Sequence, residues 1–176
     1  VGQVPHMVLL VDFVARGLGH GLDVGARYWV LVGLGATAGP LLAGALADRI
    51  GFAGAVRVAF VLQGAAAAVL TVWSGTAALV FSSVVIGASV PGVVPLVLGR
   101  VLELASTEGH ARKVAWSRGT TAFAVGQAAA AYGYSYLFAR TGGDYVLLFA
   151  IAAGALVVAV AIDIVANTVR PGSRSA

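Results

Sequence analysis

Asp12, Arg16, His20 and Asp23 fall within one strongly apolar stretch at offsets of four, four and three. On an α-helix that spacing puts the four side chains on one stripe, with Asp12 and Arg16 close enough to pair. In water such a stripe is an ordinary solvated face. In lipid each charge costs about 2.5–3.5 kcal/mol on insertion scales, so the stripe needs a reason to exist. One reason is a structural ion pair binding this helix to a neighbour. The other is the lining of a water-filled cavity, where a carboxylate, a guanidinium and an imidazole could hold a small polar solute. His20 and Asp12 are the candidates to carry a proton, a role with which Arg16, as the partner of Asp12, competes.

Other polar groups are sparser. Gln63 and Gln127 are uncharged hydrogen-bonders in apolar surroundings, and helix-to-helix glue is the plain role for Gln63. Ser82, Ser83, Ser89, Pro91, Gly92 and Pro95 cluster in one stretch. Its two prolines remove backbone donors and free carbonyls, which suits either a cavity-lining helix or a merely kinked one. Several chemistries fail on the residues. The chain has no cysteine, which excludes disulfides, thiolate catalysis and thiolate metal sites. Three scattered histidines make no metal site. "TGGD" (Thr141–Asp144) has threonine where an intramembrane aspartyl protease needs glycine, and "GASVP" (Gly87–Pro91) ends in proline where a serine hydrolase needs glycine. No phosphate-binding loop appears. The expectation is a protein without catalytic residues, metal or cofactor, and without a nucleic-acid partner.

Composition says what must position these groups. Hydrophobic residues make up 60% of the 176 positions and charged residues 10%, with a mean hydropathy of +0.96. Soluble domains carry about 25% charge, so the bilayer is the solvent this chain requires. A crossing helix takes about 20 apolar residues, which leaves room for roughly six. The 24 glycines fit helices whose backbones approach closely in lipid. The fold class expected is therefore an all-α membrane protein with six transmembrane helices.

The spans read as about Pro5–Gly25, Tyr28–Ala47, Val56–Trp73, a fourth ending near Gly99, Val114–Phe138, and Tyr145 to about Asn167. They are joined by the Asp48–Arg57 turn, by "SGTA" (Ser74–Ala77), by the polar connector Arg100–Lys113 and by "RTGGD" (Arg140–Asp144). A bundle over residues 1–167 and a polar tail over 168–176 make up the domain plan. The chain begins with valine and lacks a basic n-region, so the expectation is a piece of a longer protein with no signal peptide. Basic residues set the orientation. Arg49, Arg57, Arg100, Arg112, Lys113, Arg118, Arg170 and Arg174 share one side, against Arg27 and Arg140 on the other. Both termini are expected in the cytoplasm, in a multi-pass inner-membrane protein. Arg118 should snorkel to that interface and Asp163 should lie near it.

"GALADRIGF" (Gly44–Phe52) then becomes a cytoplasmic turn between the second and third spans. Any such turn wants a charge and a glycine, but the order Gly44, Asp48, Arg49, Gly51 is more particular. It resembles the G-x-x-x-D-R-x-G turn of the major facilitator superfamily. The basic pair that follows in that motif is missing, since Phe52 and Ala53 stand there and Arg57 is the next cation. That departure resembles the degenerate second copy of the motif. "ARGLGHGLDVGARYWVLVGLGATAGPLLAG" (Ala15–Gly44) and "AWSRGTTAFAVGQAAAAYGYSYLF" (Ala115–Phe138) resemble the carboxyl-terminal half of the YbfB/YjiJ-type branch.

The resemblance implies a secondary active transporter of a small solute, working by alternating access and open to proton coupling, of which this chain is the carboxyl-terminal half. Its implied partners are an amino-terminal six-helix half, a small-molecule substrate and the lipid bilayer. Asp12, Arg16, His20 and Gln127 would line the substrate or proton path. Gly44, Asp48, Arg49 and Gly51 would form a conformational latch, with Asp48 facing a neighbouring helix dipole. The rival expectation is a stand-alone six-span membrane protein with a scaffold or channel-like role.

Overall fold

A computed structural model of the chain describes residues 2–104 and 109–168, and the tail read from the sequence lies almost wholly outside the described residues. All regular structure among them is helical. The helices are α1 (Val4–Asp12), extended by a π-helical turn (Phe13–Gly17), α2 (Leu22–Val72), α3 (Thr76–Leu104), α4 (Gly109–Arg140) and α5 (Tyr145–Thr168). Helix α2 is two arms joined at Gly51, whose φ of 74° and ψ of 162° break the spiral. Only glycine takes that conformation without a steric cost. The arms fold back on one another, because Ala43 and Ala47 of the first share a buried cluster with Ala55 and Val56 of the second and Leu96 of α3.

Three described helices are long and apolar enough to cross a bilayer, Leu22–Val72, Thr76–Glu103 and Tyr145–Val165. Each arm of α2 separately exceeds the roughly 20 residues a crossing needs. Helix α4 falls short on composition, with Arg112, Lys113 and Arg118 in its first turns. Helix α1 with its π turn falls short on length.

Helix α1 lies at the centre. Leu10, Phe13 and Val14 pack with Tyr28, Val32 and Leu70 of α2, Ala78 and Leu79 of α3, and Phe149 of α5. Val4 and Leu9 pack with Ala67, Tyr134 of α4, and Leu148 and Ala152 of α5. One buried polar chain crosses this core. Ser82 donates to the carbonyl oxygen of Ala66 at 2.8 Å and lies 2.7 Å from Nε2 of His6. A hydroxyl has one hydrogen, so Ser82 accepts from His6 and three helices are pinned at one point.

The most extensive helix contact is between α2 and α3. In lipid no hydrophobic drive holds helices together, and close packing must replace it. Gly35, Gly39, Ala43 and Ala47 recur every four residues along the first arm of α2, one face of the helix. A Cβ on Gly39 would sit 2.9 Å from the Cα of Ala88, and one on Gly87 would sit 2.8 Å from the Cα of Val32. The two backbones are in contact with no room for side chains.

Several boundaries differ from the sequence reading. The first helix stops at Gly17, not Gly25, because Gly19 (φ 72°) and Gly21 (φ 84°) turn the chain and α2 starts at Leu22. The Asp12–Arg16–His20–Asp23 stripe is therefore not one helical face. The Asp48–Arg57 turn contracts to a single residue, Gly51, with helix on both sides. Much of the Arg100–Lys113 connector is helix, and its central residues lie outside those described.

The glycine crossing generates a test. Gly39→Val or Gly87→Val should push α2 and α3 apart and cost about 1–3 kcal/mol or more. Gly33→Ala, a site with nothing within 4 Å of the added carbon, should be neutral or slightly stabilising. Unfolding in mixed micelles, followed by circular dichroism, measures all three. Equal effects at the three sites would contradict the close crossing.

Candidate functional site

The polar turns collect at two ends of the bundle. At one end lie the Gly17–Gly21 segment, the α2–α3 junction at Trp73–Gly75 and the α4–α5 turn. Phe13, Gly17, Trp73, Ser74, Asp144 and Tyr145 line a shared cavity of about 380 Å³ there. The turn is built by Gly142 (φ 67°) and Gly143 (φ 93°). Asp144 closes it by accepting the Leu147 N–H at 2.9 Å, which caps the start of α5.

Asp12 and Arg16 belong to this end. Arg16 Nη1 lies 3.2 Å from Oδ1 of Asp12, and the Tyr145 hydroxyl donates to Oδ2. Tyr145 is itself held between Phe13 and Phe138, at ring-centre distances of 5.3 and 4.9 Å. Gly17 makes the approach possible, since a Cβ there would lie 3.0 Å from both the Phe13 and Tyr145 rings. The π turn sits where Arg16 leaves the helix, and such turns often mark functional positions. A second cleft of about 450 Å³ opens beside the pair, lined by Asp12, Arg16, Phe138, Ala139, Gly142, Gly143 and Tyr145. Because Asp12 meets Tyr145, the first residue of α5, the pair lies at the end of the bundle.

The remaining candidates are dispersed. His20 is exposed in the glycine turn, and Asp23 is exposed in the first turn of α2, where a carboxylate suits the helix dipole. Gln127 is half-buried in α4, roughly 16 Å along the helix from Phe138 at 1.5 Å per residue. The structure thus unites Asp12 with Arg16, leaves His20 and Asp23 outside their helix, and puts Gln127 at another depth.

At the opposite end Asp48 and Arg49 are exposed just before the Gly51 break. Neither side chain meets another charge among the described residues. Gly44 is open, with nothing within 4 Å of where a Cβ would be. Among the described residues two charge pairs form near this end, Arg100 with Glu103 within α3 at 3.0 Å and Arg57 with Asp163, 2.5 Å apart, joining the second arm of α2 to α5. Sequence reading missed the latter pair, though opposite charges at the same end of two spans were a usable signal. It also missed Tyr145, taken only as the start of a span. Neither His6 nor Tyr134 was singled out, and both are buried.

A family model described as uncharacterised MFS-type transporter YbfB matches residues 1–164. No curated protein and no solved structure matches the chain.

The Arg57–Asp163 pair is partly exposed, at 36% and 29% of the side chains, so its coupling should be modest. A double-mutant cycle of Arg57→Gln and Asp163→Asn should give about 0.5–1 kcal/mol, read from unfolding in mixed micelles. A coupling near zero would mean that the pair does not hold α5 to α2.

Proposed function

Since the chain belongs to the YbfB-type family of major facilitator transporters, we propose that it is the carboxyl-terminal six-helix half of a secondary active transporter. The family match over nearly the whole chain carries this reading. The alternation of the helical segments supports it. Helix α1 runs toward the Tyr145 end, the first arm of α2 runs away from it and the second returns; α3, α4 and α5 alternate in turn. Six alternating segments fit the six-crossing plan of such a half, in which α1 with its π turn is the short member, and an amino-terminal half would complete the path. A small solute would bind between the halves and be released by their rocking motion.

Charge supports an orientation with the Gly51 end in the cytoplasm of an inner membrane and both termini on that side. Arg49, Arg57 and Arg100 lie at or near that end, with Arg112, Lys113 and Arg118 following in the first turns of α4. Arg16, Arg27 and Arg140 lie toward the other. This is the positive-inside bias. Asp48 and Arg49, exposed at the Gly51 break, are available to a partner half. A carboxylate facing a helix N-terminus there contributes about 0.3–1 kcal/mol, enough to move a balanced two-state equilibrium by a few-fold. Any proton coupling would centre on Asp12, the acid that faces both a cleft and a cation. His20 stands apart in a turn.

With no native cysteine, single substitutions report topology cleanly. In intact cells Thr141→Cys should react with a membrane-impermeant maleimide, and Arg49→Cys should react only after permeabilisation. The opposite pattern would invert the proposed orientation. Equal external labelling of both would rule out the alternating crossings.

A further inference from the structure

Resting on the transporter reading for the identity of the cargo, we propose that the cleft beside Arg16 binds a small organic carboxylate with an apolar body. The site leaves hydrogen-bond donors unsatisfied. Asp12 commits one oxygen to Arg16 and the other to Tyr145. The guanidinium has five N–H donors in a planar fork. One nitrogen faces Asp12, while 79% of the Arg16 side chain stays accessible. The excess at this site is therefore in donors, and a ligand that completes it must bring acceptors. A carboxylate matches the fork with two parallel hydrogen bonds.

The walls say the rest. Beyond the ion pair the cleft is lined by Phe138, Ala139, Gly142, Gly143 and Tyr145. Phe138 and Tyr145 are fixed against each other at 4.9 Å, giving a rigid aromatic wall, and Gly142 and Gly143, the latter beside Phe138, add no side chains of their own. At about 450 Å³ the space suits a small molecule. Of the other charges at this end, Asp23 and Arg27 stand on α2 outside the cleft lining, and those flanking the α4–α5 turn are engaged. Arg140 donates to the Tyr136 hydroxyl at 3.1 Å and lies over that ring, and Asp144 caps α5. Arg16 is the cation the cleft presents.

Asp12 is then the internal competitor of the ligand. Anchored by the Tyr145 hydroxyl, it holds the guanidinium in place, yet it is also the negative charge nearest to the bound carboxylate. Removing that charge should strengthen anion binding at the cleft.

Benzoate and its neutral isostere benzamide are the probes, with binding to the detergent-purified chain read by isothermal titration. Wild type should bind benzoate saturably and benzamide at least about tenfold more weakly, a difference of about 1.4 kcal/mol. Arg16→Gln should lose about tenfold or more in benzoate affinity, with Arg16→Lys between the two. Asp12→Asn should bind benzoate more tightly than wild type. Circular dichroism and gel filtration confirm that each variant is folded. Equal binding of benzoate and benzamide, undiminished benzoate binding by Arg16→Gln, or no saturable benzoate signal in folded wild type would each overturn the proposal. The transporter reading stands or falls separately on the labelling of positions 49 and 141.

Discussion

Close contact between two helix backbones is the constraint on which this structure rests. A chain this apolar gains nothing from hiding one greasy helix behind another once lipid surrounds both. What remains is the sum of many short-range contacts, each tiny and falling off steeply with distance. Gly35, Gly39, Gly87 and Gly92 bring α2 and α3 together with no side chain between them. The remaining helices assemble on that pair. Central α1 is pinned to both through His6, Ser82 and the carbonyl of Ala66, a buried polar chain that satisfies the Ser82 hydroxyl and leaves Nδ1 of His6 without a partner.

Glycine does the opposite job at the two ends. There it breaks helices. Gly51 reverses the chain within one residue, so the two arms of α2 pack tightly with no loop to order. Gly19 and Gly21 end the first helix early, and Gly142 and Gly143 shape the turn into α5. One residue type thus sets both the tightest contacts and the sharpest turns, in the first case by lacking a side chain and in the second by tolerating positive φ.

The same economy governs the charged groups. Asp12 and Arg16 sit where Gly17 lets Tyr145 come close, so the ion pair acquires a third member from the far end of the sequence. At the other end Arg57 finds Asp163, more than a hundred positions away. Asp48 and Arg49 remain exposed. The bundle therefore carries an ion pair at each end, Asp12 with Arg16 and Arg57 with Asp163.

Much of this was legible in the sequence. Mean hydropathy and glycine content dictated apolar helices, since no other solvent accommodates them. The last span, from Tyr145 to about Asn167, stands almost where the structure puts it, and the Gly44–Gly51 pattern pointed to the family the chain belongs to. The i, i+4 spacing of Asp12 and Arg16 correctly paired them, because that contact is local. The same periodicity failed for His20 and Asp23. It assumes an unbroken helix, and a glycine can either pack within a helix or end one. Gly35 and Gly39 pack against α3, Gly33 and Gly44 stay helical with nothing near them, and Gly19 and Gly21 take positive φ and end the first helix. Tyr145 on Asp12 was likewise invisible along the chain, and Asp163 on Arg57 showed there only as opposite charges at the same end of two spans. Sequence carries the interactions between neighbours in the chain, whereas these partners become neighbours only when the helices pack.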